Sequence, residues 1–317
     1  MLFRSFRRLS VCALVGAAFA PLPGLSAAFD TPHTVRDLER AVDRAFKPAG
    51  ATAASPRTVG LPPSSANFQA CAGHFYRGAA PVIESGEARP ANAYGTLRAL
   101  CYDRFAVLHS ATLKGPLFSA ERLSAAELRA GAEVKRPDGR KAFFSDARLP
   151  LRERAQLEDY AGESRLPKEE RHDRGHLTPA RDMSSDRSMA QSFSLANVVP
   201  QNSVNNQQVW SKIEKDTRAY VMRARGTVTI ITGAQYGSAP ERLNTAGPAI
   251  PVALYKLVHD ETTGRAWAHW LPNTASARIG KPISYEELVR RTGIRFLPQS
   301  PASLMSDASV ESGHRAQ

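Results

Sequence analysis

The segment Arg171-His172-Asp173-Arg174-Gly175-His176-Leu177-Thr178-Pro179-Ala180 places the tightest local constraint on the fold. His172 and His176 stand four apart, the spacing of one helix face. Gly175 weakens a helix at that point, and Pro179 blocks one just beyond it. A zinc-protease helix, H-E-x-x-H, also needs Glu after its first histidine, and Asp173 occupies that position. No thiolate cluster supports a structural zinc site either. The segment therefore reads as strand and loop, with an imidazole at its end.

A second polar stretch follows at short range. Leu195-Ala196-Asn197-Val198-Val199-Pro200-Gln201 leads into Asn205-Asn206-Gln207-Gln208-Val209-Trp210. From Asn206 the pattern turns helical. Trp210, Ile213 and Thr217 share a face, and Glu214 lies two turns on. A histidine that takes a proton, beside amides that offer neutral oxygens to a hard cation, suits metal-assisted phosphodiester hydrolysis. Taken singly, Asn205 or Asn206 also fits an ordinary helix N-cap. Glu214 and Arg218 likewise fit a surface i,i+4 ion pair.

The rest of the chain predicts an α+β architecture. Strands are expected at Tyr102 to His109, Arg225 to Thr232, Ile250 to Val258 and Ala266 to Leu271. The last two are separated by a turn at Asp260 to Gly264. Helices are expected at Ser124 to Ala130, Gln207 to Arg223 and Tyr285 to Arg291. The last has acids early, bases late and a Thr292-Gly293 stop. Strands and helices do not alternate strictly, which favours antiparallel pairing. His74, His109, His259, His269 and His314 have no partner pattern and read as structural or surface residues. Trp267 and Trp270 read as core residues of a strand.

The chain begins with a basic patch, Arg4, Arg7 and Arg8, then an apolar run from Leu9 to Ala20. Pro21, Pro23 and Gly24 break it, and Ser26-Ala27-Ala28 offers small residues for cleavage. This predicts a signal peptide over residues 1–27, cut after Ala27 or Ala28. The run is short for a membrane span, so the mature protein is expected to have none and to be periplasmic or secreted. Residues 28–66 predict a helix (Val35, Leu38, Val42, Phe46) and a flexible linker. Residues 67–298 form the expected domain, and residues 299–317 a disordered tail. The domain is long enough for one well-buried core. Export favours a disulfide between Cys71 and Cys101, 30 positions apart. The formal charge is +12, or about +9 without the three signal arginines, and it favours polyanionic partners.

Asp173-Arg174-Gly175-His176 resembles the DRGH signature of the DNA/RNA non-specific endonucleases. The family's L-S-N-[IV]-x-P-Q segment is similar to Leu195–Gln201, with Ala196 for Ser. Its N-x-x-x-W helix start matches Asn206 to Trp210, and its later acid and arginine match Glu214 and Arg218. Thr232-Gly233 resembles its T-G segment. Leu100-Cys101-Tyr102 and Pro116 to Glu121 resemble its periplasmic bacterial branch. The likeness runs over about residues 68 to 298.

The resemblance implies a ββα-metal finger, with a central mainly antiparallel sheet flanked by helices. It implies His176 as general base and Asn206 as direct ligand of Mg²⁺, with Mn²⁺ as an alternate. Asn197 would position the histidine loop or the substrate. Glu214 would orient metal waters, and Arg218 would act on phosphate or on Glu214. Arg174 would be a phosphate contact or a strut, and Asp173 would fix the loop. The family's substrate arginine precedes an F-x-x-D segment, here Phe143 to Asp146. Ala142 stands where that arginine is expected, so Arg140 or Lys141 is the expected substitute. The segment Glu163 to His172 reads as a surface insertion beside the site. The expected activity is hydrolysis of DNA and RNA without sequence preference, by a monomer or homodimer. The competing readings are a catalytically silent nucleic-acid binder on the same fold and a small-molecule phosphodiesterase.

Overall fold

The computed structural model describes residues 57–84 and 94–298, all within the unit Ala51–Gln317. The expected signal peptide, the N-terminal helix and the C-terminal tail lie outside the described residues. Ten strands are described. A six-stranded antiparallel sheet has the order β2-β3-β4-β7-β8-β9. These strands are β2 (Leu97–Cys101), β3 (Ala106–Ser110), β4 (Gly115–Leu123), β7 (Val228–Gln235), β8 (Ala253–Asp260) and β9 (Ala266–Pro272). Two short antiparallel pairs stand apart: β1 (Val82–Ile83) with β10 (Ile294–Arg295), and β5 (His172–His176) with β6 (Val198–Asn202). The main helices are α1 (Ala125–Gly131), α2 (Asp186–Ser192), α3 (Ser211–Val221) and α4 (Tyr285–Thr292). This is the expected α+β class with an antiparallel central sheet.

The sheet is buried on both faces. On β2 and β3, Ala99, Cys101, Ala106 and Leu108 join one apolar cluster, while Leu100 and Val107 join another. Alternate side chains of a strand point to opposite faces, so both layers are filled from the same residues in turn. Beneath α3, Leu123, Ile230 and Val258 meet Val221 in a third cluster.

Several strand limits differ from expectation. Tyr102 to His109 is not one strand. Residues 102–105 turn the β2–β3 hairpin, and the Tyr102 hydroxyl donates to Asp146 Oδ2 at 2.6 Å. β4, a nine-residue strand, carries Pro116 to Glu121, which the sequence alone did not single out as extended. Almost all its residues are buried, so it lacks the polar alternation of a half-exposed strand. β7 starts at Val228 and runs past Thr232, where sequence reasoning placed its end, through Gly233 to Gln235. A Cβ on Gly233 would lie 2.1 Å from the Tyr255 hydroxyl, so this glycine makes room for a ring rather than ending the strand.

Part of the expected linker is docked. Ser65 exchanges two backbone hydrogen bonds with Ala99, at 3.0 and 2.8 Å, and Thr58 is buried. The unpaired edge of β2 attracts the segment. The helix expectations hold closely. Ser124 caps α1 with a reciprocal bond to Glu127, and Ser284 caps α4. Gly293 ends α4 in the left-handed region, φ 64°. Trp267 and Trp270 are only partly buried on the edge strand β9, where Trp267 meets Tyr220 edge to face and Trp270 stacks on Tyr255.

Cys71 and Cys101 are bonded, with Cα atoms 5.7 Å apart. The bond ties the segment ahead of the sheet to the end of β2. Replacing both cysteines by serine is expected to cost about 3 kcal/mol through the freer unfolded chain. A urea unfolding midpoint unchanged from the parent would contradict this.

Candidate active site

β5 and β6 pair in register, His176 opposite Val198 and Asp173 opposite Gln201. After β6 the chain turns through Ser203 into a wide helical turn, Asn205–Trp210, that continues as α3. Two strands and a helix thus form one corner. Trp210 and Ile213 anchor the helix in the core, against the cluster that holds Leu177 and Val199.

Gly175 is fixed by what lies over it. A Cβ there would stand 2.3 Å from Gln201 Oε1 and 2.5 Å from Gln201 Cβ. The Gln201 amide donates to Asn205 Oδ1 at 3.0 Å, and Asn205 donates to the Pro272 carbonyl at 2.7 Å. The glycine therefore lets Gln201 cross the strand and fasten the helix start.

Asp173 is the clamp between strand and helix. Its Oδ1 accepts from the Ser203 hydroxyl at 2.6 Å. Its Oδ2 accepts from Asn206 Nδ2 at 2.9 Å and Gln207 Nε2 at 2.8 Å. With its NH₂ held, Asn206 keeps its carbonyl oxygen unbonded among the described residues.

Asn197 is completely buried. Its Oδ1 accepts from the Thr178 backbone N–H at 3.0 Å, and its Nδ2 donates to the Thr178 and Ser192 carbonyls, each at 2.9 Å. It fits the loop-positioning role, since every group of its amide is engaged. Contact with substrate, the other expectation for it, does not fit this placement.

His176 lies between Phe143 and Phe193, with ring centroids 5.1 and 5.0 Å away. Its Nε2 is buried and without a partner among the described residues. Nδ1 is the nitrogen left to face the cleft. Burial among the rings, with Arg136 close by, holds its pKa down to about 3, so the ring is neutral at neutral pH.

One open cleft of about 460 Å³ is lined by Arg136, Phe143, Asp173, Arg174, His176, Arg181, Asn206 and Glu214. Burial pushes the Glu214 carboxyl up to about 7, and the nearby Asp182 adds to the rise. Lys256, Arg218 and Arg136 oppose it. Arg218 does not line the cleft. Its direct partner is Asp182 at 2.9 Å, and from there its charge acts on Glu214. The reason is burial: the carboxylate of Asp182 is only 4% exposed and needs a cation.

Arg174 stands 4.7 Å over the Phe143 ring, with no carboxylate paired to it among the described residues. Lys141 is exposed and not on the cleft wall, and the side chain of Arg140 lies outside the described residues. Arg136 and Arg181 stand in the cleft instead. Arg136 crosses the Phe193 ring at 5.6 Å. Sequence reasoning missed both. The only local signal is the helix-breaking run Arg136-Pro137-Asp138-Gly139, and Arg136 stands in an irregular stretch ahead of the short helix Gly139–Ala142. The expected insertion is a mostly exposed segment. Its Glu163 carboxylate accepts from the backbone N–H of His172 at 2.5 Å.

A family model described as DNA/RNA non-specific endonuclease matches residues 86–303. The mitochondrial nuclease EXOG of Xenopus laevis is 27% identical over 217 residues, covering 62% of this chain and 58% of that protein. EXOG of Danio rerio is 27% identical over 226 residues, covering 65% and 62%. The chain thus spans less than two thirds of these relatives. Human mitochondrial endonuclease G is 26% identical over 236 residues, covering 68% and 72%. The fold is similar to a chain in the crystal structure of the EndoG/EndoGI complex. The TM-score is 0.52 at 20% identity, over 62% of this chain and 84% of that one.

Gly175→Ala is expected to part β5 from β6, because Gln201 Cβ is too near the backbone to swing away. The expected cost is about 1–3 kcal/mol, read from urea unfolding. An unchanged midpoint would show that the strands have room to spare.

Proposed function

Because the chain belongs to the DNA/RNA non-specific endonuclease family, we propose that it is an exported, Mg²⁺-dependent endonuclease that hydrolyses DNA and RNA without sequence preference. The observation that carries this reading is the shared cleft of His176 and Asn206, ringed by Arg136, Arg174 and Arg181.

The donor set suits a lightly held hard cation. Asn206 offers one neutral oxygen, aimed by the Asp173 clamp, and Glu214 stands on the same wall. Among the described residues no group of three or more His, Cys, Asp or Glu side chains gathers for a metal. Magnesium commonly keeps several waters and takes few protein ligands, so this arrangement fits it, and manganese equally. Asn206 would hold the ion directly and Glu214 would orient its waters. When bound, the ion supplies charge stabilisation at the phosphate and the departing oxygen.

The chain's own groups do the rest. His176 is kept neutral by its aromatic walls, so Nδ1 accepts a proton from the water that attacks phosphorus. The proton already on the ring stays on the buried Nε2. Arg136, Arg174 and Arg181 hold phosphate oxygens, and Phe143 and Phe193 fix the planes of His176 and two of those guanidiniums. Recognition of the backbone alone explains broad substrate use. The signal-like N-terminus and the Cys71–Cys101 bond support export. Among the described residues no helix is long and apolar enough to cross a membrane.

Plasmid relaxation tests the reading. His176→Ala is expected to slow cleavage by about 100-fold or more while plasmid binding persists. Equal cleavage by both proteins, or none by either, would defeat it, and the second result would favour a silent binder. Hydrolysis of a small chromogenic diester but not of plasmid would point to a small-molecule phosphodiesterase. Arg136→Ala is expected to lower kcat/KM by about 10-fold or more, the cost of one charged hydrogen bond. An unchanged kcat/KM would remove Arg136 from the phosphate site. Chelation by EDTA is expected to abolish cleavage, and added Mg²⁺ to restore it. Cleavage that survives chelation would rule out the metal requirement.

A further inference from the structure

Behind the cleft wall lies a buried polar layer that the proposed chemistry does not use. Ser119 on β4, Thr232 on β7 and Lys256 on β8 sit directly opposite one another across the sheet. Glu121, two residues beyond Ser119, faces the same way. The Ser119 hydroxyl accepts from Thr178, two residues after His176, at 2.8 Å. Lys256 is 1% exposed, and its ammonium donates to the Thr232 hydroxyl at 2.5 Å. The layer thus runs directly under the histidine loop and α3.

Glu121 is the anomaly in it. It is 1% exposed, and no N–H or O–H donor among the described residues reaches either of its carboxyl oxygens. What it meets is another carboxyl, that of Asp182 in the turn Ala180–Asp182. Two carboxylates cannot bond each other, since both are acceptors only. A bond forms when one of them carries a proton. Asp182 already accepts from Arg218 at 2.9 Å, so Asp182 is the ionised partner. The groups facing the pair are Lys256 from β8 and Glu214 and Arg218 from α3.

We infer that Glu121 is a positioning residue that stays a neutral carboxylic acid and donates its proton to Asp182, so that the Asp182–Arg218 bridge holds α3 and its Glu214 at the cleft. Burial and the neighbouring Asp182 raise the Glu121 carboxyl well above its ordinary value, in the direction this arrangement needs. Arg218 is thereby a brace for the helix rather than a phosphate ligand. The activity side of the inference rests on the proposed nuclease reading, and the protonation side does not.

The sign of the pH effect is fixed. The unfolded chain releases the Glu121 proton near 4.5, while the folded chain keeps it to higher pH. The stability contributed by the neutral acid is complete below that value and is lost as pH rises through the folded pKa. Glutamine retains a donor but does not titrate, and leucine retains only the volume.

The test compares the full-length parent with Glu121→Gln and Glu121→Leu. The Tm of Glu121→Gln is expected to gain steadily on that of the parent from about pH 5 to about pH 9. Difference infrared spectra of parent minus Glu121→Gln should show the carbonyl band of a protonated carboxyl. In plasmid cleavage, Glu121→Leu is expected to lose about 10-fold or more in kcat with little change in KM. Glu121→Gln should recover most of that loss. A Glu121→Gln Tm that parallels the parent at every pH, or a missing carboxyl band, would overturn the neutral acid. Equal activity of the Leu and Gln variants, high or low, would overturn the positioning role. If Glu121→Leu does not fold, the Gln variant's Tm series and spectrum still decide the protonation, and a fall of about 10-fold or more in its kcat would overturn the positioning role. A parent without nuclease activity would sink the nuclease reading while leaving both physical measurements decisive.

Discussion

Three hydrogen bonds to one carboxylate hold the corner on which the site is built. Asp173 accepts from Ser203, Asn206 and Gln207, and so locks a strand to the first turn of a helix. Nothing else on β5 reaches that turn with a full negative charge. The geometry of Asn206 follows from it, because holding the NH₂ group decides where the carbonyl oxygen points. Gln201 works in parallel from β6, crossing over Gly175 to reach Asn205. A neutral oxygen is thus aimed by a charged clamp that does not itself need to bind a cation.

The cleft is graded from apolar to charged. At one side His176 sits among aromatic rings, where protonation is costly, and its pKa falls to about 3. At the other side half-buried Glu214 stands near the buried Asp182 and Lys256, and its pKa rises to about 7. One fold therefore moves a base and an acid in opposite directions across a short distance. The aromatic rings do two jobs, since Phe143 and Phe193 flank the imidazole and also carry Arg174 and Arg136.

Much of the site was legible because it is local. Residues 171–210 hold the histidine, the clamp, the glycine and the amide within a single ββα unit, so their order in the chain nearly gives their order in space. Asn197 was recognised by motif, but its role came from contacts: every group of its amide faces the Thr178 and Ser192 backbone. The direct partner of Arg218 was not read, because Asp182 lies 36 residues away on a turn that carries no periodic signal. Arg136 and Arg181 were missed for a related reason. They sit in irregular segments, and only packing against Phe193 or the rim of the cleft brings them to the site. In the fold, half-exposed helices with caps were read well. β4 and the last residues of β7 were not, because a strand buried on both faces has no polar alternation to read.

Sequence by itself determined the family, the α+β class, the cysteine pair and the strand–strand–helix that carries His176 and Asn206. These rest on local chemistry: glycine where a side chain must cross, caps where helices begin, a histidine at a strand end. Tertiary structure alone decided which arginines face the cleft, which carboxyl meets which cation, and that Glu121 lies against Asp182. Burial and long-range register set those pairings, and neither is written in the spacing of neighbouring residues.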